Sequence, residues 1–191
     1  MKKLRCLFMG LLIGGVLICP AMAASSFPDV DENADYAEAV KYLDDVGIMR
    51  GDNNGNFNPN QTVTRAEMAT IICNMLGETE DLTVSDTFSD VSRTHWANKY
   101  ISKASEFGLV SGYGSGKFGP NDSVTYEQVL TMVVRAMALE EEAIQAGGYP
   151  DGYIEIAHER GYINRLSAQK GESLTRWQVA MILYNAAYSI L

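Results

Sequence analysis

Apolar residues recur at three- and four-residue steps in six stretches of the chain, and these stretches alternate between short and long. The short ones carry Tyr36, Ala39, Val40 and Leu43; then Ala97, Tyr100, Ile101 and Ala104; then Tyr153, Ile154 and Ala157. The long ones carry Met68, Ile71, Ile72, Met75 and Leu76; then Val129, Met132, Val133, Ala136 and Met137; then Val179, Ile182, Leu183, Ala186, Ala187 and Ile190. Each spacing predicts a helix with one apolar stripe, none of them apolar all round. Three long helices with matching stripes bury them most simply against one another, so the pattern predicts an all-α chain. Gly47, Gly108 and Gly161 fall where the short helices should stop, as C-cap residues would. The glycines of 51–55 and 112–116, with Pro59 and Pro120, describe turns. Positions 78–87 and 140–148 are acidic and small, and are expected to be connectors.

The stripes repeat because the sequence does. A shift of 61 residues aligns Phe27-x-Asp29-Val30 with Phe88-x-Asp90-Val91, and Gly47 and Gly51 with Gly108 and Gly112. The same frame brings Gly55, Phe57, Pro59, Asn60, Val63 and Thr64 onto Gly116, Phe118, Pro120, Asn121, Val124 and Thr125 without a gap, the signature of a structural repeat. A shorter third copy places Ile154 against Ile101, Gly161 against Gly108 and Leu174-Thr175 against Val124-Thr125. Its loop is three residues shorter and lacks Gly-x-Phe-x-Pro-Asn, so it is the degenerate copy.

Each long helix opens on a capping box. Thr64 with Glu67, Thr125 with Gln128 and Thr175 with Gln178 have the spacing at which the threonine hydroxyl takes the N3 amide and the N3 side chain returns to the N-cap amide. Capping does not account for Arg65 and Arg176, which follow the threonine in copies one and three and stand against the positive end of the helix dipole. Two readings stand for them. They are solvated arginines, or they join the free helix amides in holding a carboxylate or phosphate.

Charge narrows the function. Lys+Arg of 15 against Asp+Glu of 24 gives −9, which offers no electrostatic footprint for nucleic acid. Lys2, Lys3 and Arg5 precede an apolar run over 6–18, then Pro20 and Ala21-Met22-Ala23, an order that predicts an export signal over residues 1–23, cleaved after Ala23. The run is short for a membrane span, and bulky Ile18 counts against a lipidated Cys19. Cleavage leaves no predicted membrane span, shifts the charge from −9 to −12, and leaves Cys73 alone, next to the apolar stripe of its helix, as a small core residue. The run Asp52-Asn53-Asn54-Gly55-Asn56 resembles a calcium loop, but Phe57 and Val63 stand where the loop needs glycine and a bidentate glutamate, so no metal site is expected. The carboxylates are scattered and accompany no Gly-x-Ser-x-Gly, His-Glu-x-x-His or phosphate loop. No catalytic site and no cofactor are expected.

Taken in order, Phe-x-Asp-Val, His95-Trp96-Ala97, Gly-x-Phe-x-Pro-Asn and Thr64-Arg65-Ala66-Glu67, nearly three times over, resemble the S-layer homology (SLH) family across Phe27 to Leu191. The resemblance implies three helix–loop–helix repeats, at 27–77, 88–138 and 149–191, forming one module in a pseudo-threefold arrangement around a central three-helix bundle. It implies an exported, cell-wall-associated protein, not an enzyme, whose grooves hold a secondary cell-wall polysaccharide without a covalent bond. In the family that glycan commonly carries a pyruvate ketal, whose carboxylate meets the arginine of Thr-Arg-Ala-Glu; a cargo or envelope protein is a further partner. Arg65 and Arg176 match that arginine, whereas copy two has Tyr126 in its place, and the shortened loop before Arg176 predicts an incomplete groove wall there. Trp96 matches the family's aromatic, either a sugar platform or a core side chain; Tyr36, one position removed, and Tyr149 are its counterparts. Asp29 and Asp90 match the family's early aspartate, with capping of the first helix preferred over a bond to a sugar hydroxyl. The rival reading is an extracellular protein–protein interaction module that uses degenerate grooves.

Overall fold

The computed structural model describes residues 27–189. The leader expected over residues 1–23, with Cys6 and Cys19, and the stripe residue Ile190 lie outside them. Seven helices form among the described residues: α1 (Ala37–Asp45), α2 (Arg65–Met75), α3 (Asn98–Glu106), α4 (Tyr126–Ala136), α5 (Glu140–Gln145), α6 (Asp151–Glu159) and α7 (Arg176–Tyr188). The described residues are all-α apart from isolated β-bridges, and no described helix is long and apolar enough to cross a membrane.

Six helices are those the stripes predict; α5 replaces an expected connector. Its Glu140, Glu141 and Glu142 occupy the first turn, where the helix dipole favours carboxylates, and Ala143 is fully buried. Gly147 and Gly148, both at positive φ, end the turn that follows. The first helices stop as their glycines predict. Gly47 (φ 75°), Gly108 (φ 71°) and Gly161 (φ 73°) are left-handed, and the next residue's amide reaches back five positions, from Ile48 to the Leu43 carbonyl, Leu109 to Ala104 and Tyr162 to Ala157, at 2.8–2.9 Å.

A copy does not pack chiefly on itself. α1 lies on α7, α3 on α2 and α6 on α4, while α4 touches both α2 and α7. Each first helix therefore rests on the long helix of the preceding copy, with the first copy taking the last. Just ahead of the long helices the backbone closes a ring: Val63 N donates to Leu174 O (3.0 Å), Leu174 N to Val124 O (3.1 Å) and Val124 N to Val63 O (2.8 Å). All three side chains are fully buried, so the ring satisfies amides that water cannot reach.

This exchange overturns the expectation of a single stripe on each long helix. α2 and α4 each bury eight of eleven residues, whereas α1 and α3 each bury three of nine. The long helices are enclosed from more than one side, and their small residues, such as Ala66, Ala69 and Cys73, fill the additional contacts.

Candidate functional site

The site is built from the loops between helices. Under the first loop Phe27 packs against Phe57, ring centroids 5.5 Å apart, and under the second Phe88 packs against Phe118 at 5.2 Å. Gly51 and Gly112 make room, since a Cβ on either would collide with the phenylalanine ring beneath. Asp29 then clamps its loop by accepting from the amides of Phe57 (2.8 Å) and Asn58 (2.6 Å), and Asp90 accepts from Phe118 and Gly119, both at 2.8 Å. Neither aspartate caps a first helix, contrary to expectation; the N-cap residues of α1 and α3 are Tyr36 and Ala97, with no side-chain cap. Two consecutive loop amides offer a carboxylate a better pair of charge-assisted bonds. At Asp90 burial pushes the carboxyl up, but the Phe118 and Gly119 amides outweigh it and hold it below its ordinary 3.8.

The same phenylalanines present their carbonyls to the arginines. Arg65 Nε donates to Phe118 O (2.8 Å) and an Nη2 proton goes to Ser111 O (2.7 Å). Arg176 makes the equivalent pair with Phe57 O and Arg50 O, both at 2.7 Å. The Arg65 guanidinium lies 4.5 Å from the ring centres of both Phe118 and Tyr113, and that of Arg176 lies 4.6 Å from Phe57. The loop contacts account for an arginine at a helix start without any ligand. They leave the outer fork of each guanidinium without a partner among the described residues, and no described carboxylate lies at ion-pair distance from either. Burial pulls both below the usual arginine range. Arg65 is only 3% exposed, and a cation at that depth is costly to leave without a compensating anion.

Three grooves open beside these loops. The Arg65 groove, about 300 Å³, is lined by Gln128, Thr131 and Arg135 of α4, by Tyr113, and by Tyr149 at the rim. The Arg176 groove, about 740 Å³, is lined by Glu67, Thr70 and Asn74 of α2, by Arg50, and by Trp96 at the rim. Each combines the loop and long helix of one copy with an arginine from the preceding copy and an aromatic from the following one. Arg176 therefore faces the full-length first loop. The shortened third loop is not its wall, which corrects the expectation of an incomplete groove. Trp96 and Tyr149 are 57% and 60% exposed, which removes the core alternative for Trp96.

The third groove, about 320 Å³, is lined by Asp35, Glu38, Asn164, Arg165, Tyr184 and Asn185. Asp35 stands where the others have Trp96 and Tyr149, while neighbouring Tyr36 stacks on Trp177 at 5.3 Å. Tyr126, the counterpart of the arginines, is buried and lines none of the three grooves. Tyr126 joins the hydrophobic core and, being uncharged, brings no guanidinium to its own groove.

The helix starts behave largely as the sequence predicts. The return half of the capping box, from the N-cap amide to the N3 side chain, forms at Thr64, Thr125 and Thr175; at Thr64 the hydroxyl also accepts from the Glu67 amide at 3.2 Å, whereas the buried Thr125 hydroxyl has no hydrogen-bond partner among the described residues. The N-cap amides donate to Glu67 at 2.7 Å, to Gln128 at 3.3 Å and to Gln178 at 2.9 Å. Sequence reasoning missed Tyr113 and Arg135. Asn74 and Asn185 occupy the positions aligned with Arg135, so only a change of charge within the repeat frame marks it. Cys73 is buried, and burial pushes its thiol up to about 12. Asp52 spends its oxygens on the Asn54 and Asn56 amides and the Asn58 side chain.

A family model for the S-layer homology domain matches residues 26–69 and 87–130. Among similar proteins, a cell surface protein of Thermoanaerobacter kivui is 36% identical over 86% of this chain and 21% of its own length. The middle cell wall protein of Brevibacillus brevis is 32% identical over 86% of this chain and 15% of its own. A surface-layer 125 kDa protein of Lysinibacillus sphaericus is 35% identical over 76% of this chain and 13% of its own. The chain thus spans about a fifth or less of the length of these relatives.

Proposed function

From the premise that this chain belongs to the S-layer homology family through its repeats at 26–69 and 87–130, we propose that it is an exported module that anchors to the bacterial cell envelope by binding a secondary cell-wall polysaccharide. The ligand is an anionic glycan, with a pyruvate-ketal carboxylate as the group recognised. One observation carries this reading: two grooves of equivalent construction each hold a guanidinium with its inner edge fixed by loop carbonyls and its outer fork free, beside an exposed aromatic. A fixed fork suits a carboxylate, and an exposed ring suits the apolar face of a sugar. The chain is acidic, so attraction to a polyanion has to be local, and two modest sites on one body gain by avidity. No catalytic step is assigned to the module.

The test is a pull-down with native walls, walls from which the ketal has been hydrolysed, and walls stripped of the secondary polymer. The reading expects retention on native walls and loss on the other two. Equal retention on all three overturns it and favours a protein partner. The third groove, which sets Asp35 and Glu38 beside Arg165, has the mixed charge of a surface that suits such a partner.

A further inference from the structure

The two arginine grooves share a plan and differ in charge. At the position that follows the capping threonine by three, the Arg176 groove has Glu67 and the Arg65 groove has the neutral Gln128. At the last residue but one of the long helix, the Arg176 groove has Asn74 and the Arg65 groove has Arg135. The Arg65 groove is thus lined by two arginines and no carboxylate, whereas the Arg176 groove sets Glu67 beside its own two, Arg50 and Arg176, in a chain whose net charge is −9.

Arg135 is held for use. Glu140, the first residue of α5, accepts from its Nε at 2.8 Å and also accepts from the Tyr153 hydroxyl at 2.8 Å, and the guanidinium lies 5.6 Å from the Tyr153 ring centre. The anchor is at the rear of the fork. In front, Arg135 Nη1 reaches the Ser111 hydroxyl at 3.5 Å, and the carbonyl of that same serine receives Arg65 Nη2. Ser111 therefore spaces the two guanidiniums across one groove wall. Two cations so placed repel each other until an anion lies between them. The Glu140 pair neutralises part of the Arg135 charge but takes none of its Nη donors.

We infer that the Arg65 groove is a dianion site, in which Arg65 takes one acidic group of the glycan and Arg135 takes a second, either carboxylate or phosphate, on the same or the adjoining sugar. This rests on the wall-glycan reading above and adds a specificity-determining residue to it. On this account α5 is not a degenerate connector, because it brings the carboxylate that aims Arg135.

Calorimetric titration of the full chain tests it with two probes: a methyl hexosaminide bearing a 4,6-pyruvate ketal, and the same glycoside bearing a phosphate in addition. A companion pair with a carboxymethyl group in place of the phosphate separates the two sources of second charge. The parent is expected to prefer a doubly charged glycoside at least tenfold. Arg135→Gln is expected to abolish that preference, Glu140→Gln to reduce it, and Arg65→Gln to weaken both glycosides, with thermal melts confirming that each variant is folded. If Arg135→Gln melts early, Arg135→Lys, which keeps the charge and loses the fork, should show a reduced preference. A parent that binds both glycosides equally, or an Arg135→Gln variant that keeps the preference, overturns the dianion site while leaving the wall-glycan reading in place. If the parent binds neither glycoside, the wall-glycan reading fails and this inference with it.

Discussion

The groove floored by Arg65 and the groove beside Asp35 are built from equivalent positions on the same scaffold, yet they have opposite character. Both have a loop, a long helix and a rim residue from the following copy. In the first, the preceding copy contributes an arginine that bonds two loop carbonyls, and the rim is an exposed tyrosine. In the third, the preceding copy's Tyr126 turns into the core and the rim is an aspartate. The ring of backbone hydrogen bonds through Val63, Val124 and Leu174 holds all three helix starts alike. The contrast between these two grooves is therefore set largely by two side chains supplied by neighbouring copies, on a scaffold that holds the helix starts alike.

Five substitutions press on that comparison. The largest effect is expected from removing both floors: the Arg65→Ala, Arg176→Ala double variant should lose wall binding by about a hundredfold or more as avidity disappears, and each single variant should lose about 1.5 to 3 kcal/mol, as for a bond to a charged group. Binding isotherms on native walls measure this, with melts to establish folding.

Tyr126→Ala makes the opposite separation. It should cost about 3 kcal/mol of stability, the price of a buried aromatic, and leave the affinity of the folded protein for walls intact; chemical denaturation alongside wall binding reads both. Thr64→Ala should cost about 1 kcal/mol through the lost capping box. Because Glu67, beside Arg176, would lose its bonds to the Thr64 hydroxyl and keep only that to the Thr64 amide, this variant should affect the Arg176 groove more than the Arg65 groove.

The smallest effect belongs to Asp90. Its folded pKa lies below the ordinary 3.8, so its contribution to stability is present above that value and is lost as pH falls through the lower, folded one. The carboxylate is largely exposed, so solvent screening limits the contribution to about 1 kcal/mol or less. Melts from pH 7 down to 2.5 should show a shallower acid-side decline for Asp90→Asn than for the parent, with the variant slightly less stable at pH 7.

Much of this was legible in the sequence. The three-and-four spacing located six helices, the 61-residue frame paired the loops, and Thr64, Thr125 and Thr175 marked three helix starts, because each of these is a local signal. The route of the chain was not legible. Nothing local says that α1 rests on α7, and without that exchange Arg176 is assigned to the shortened loop behind it rather than to the loop around Phe57. The aspartates were misread for a related reason, since the amides they clamp lie 28 and 29 residues further along. α5 was missed because a six-residue helix carries too few apolar positions to show a period. Tyr126 matched the arginine by position and departed from it in chemistry, and chemistry decided where the side chain went.

The most direct measurement is the stoichiometry of binding, obtained by titrating the full chain with short, purified fragments of the wall polymer. The account predicts two sites on the parent, one after either Arg65→Ala or Arg176→Ala, and none after both. Three sites on the parent, or two sites persisting in the folded double variant, would contradict it.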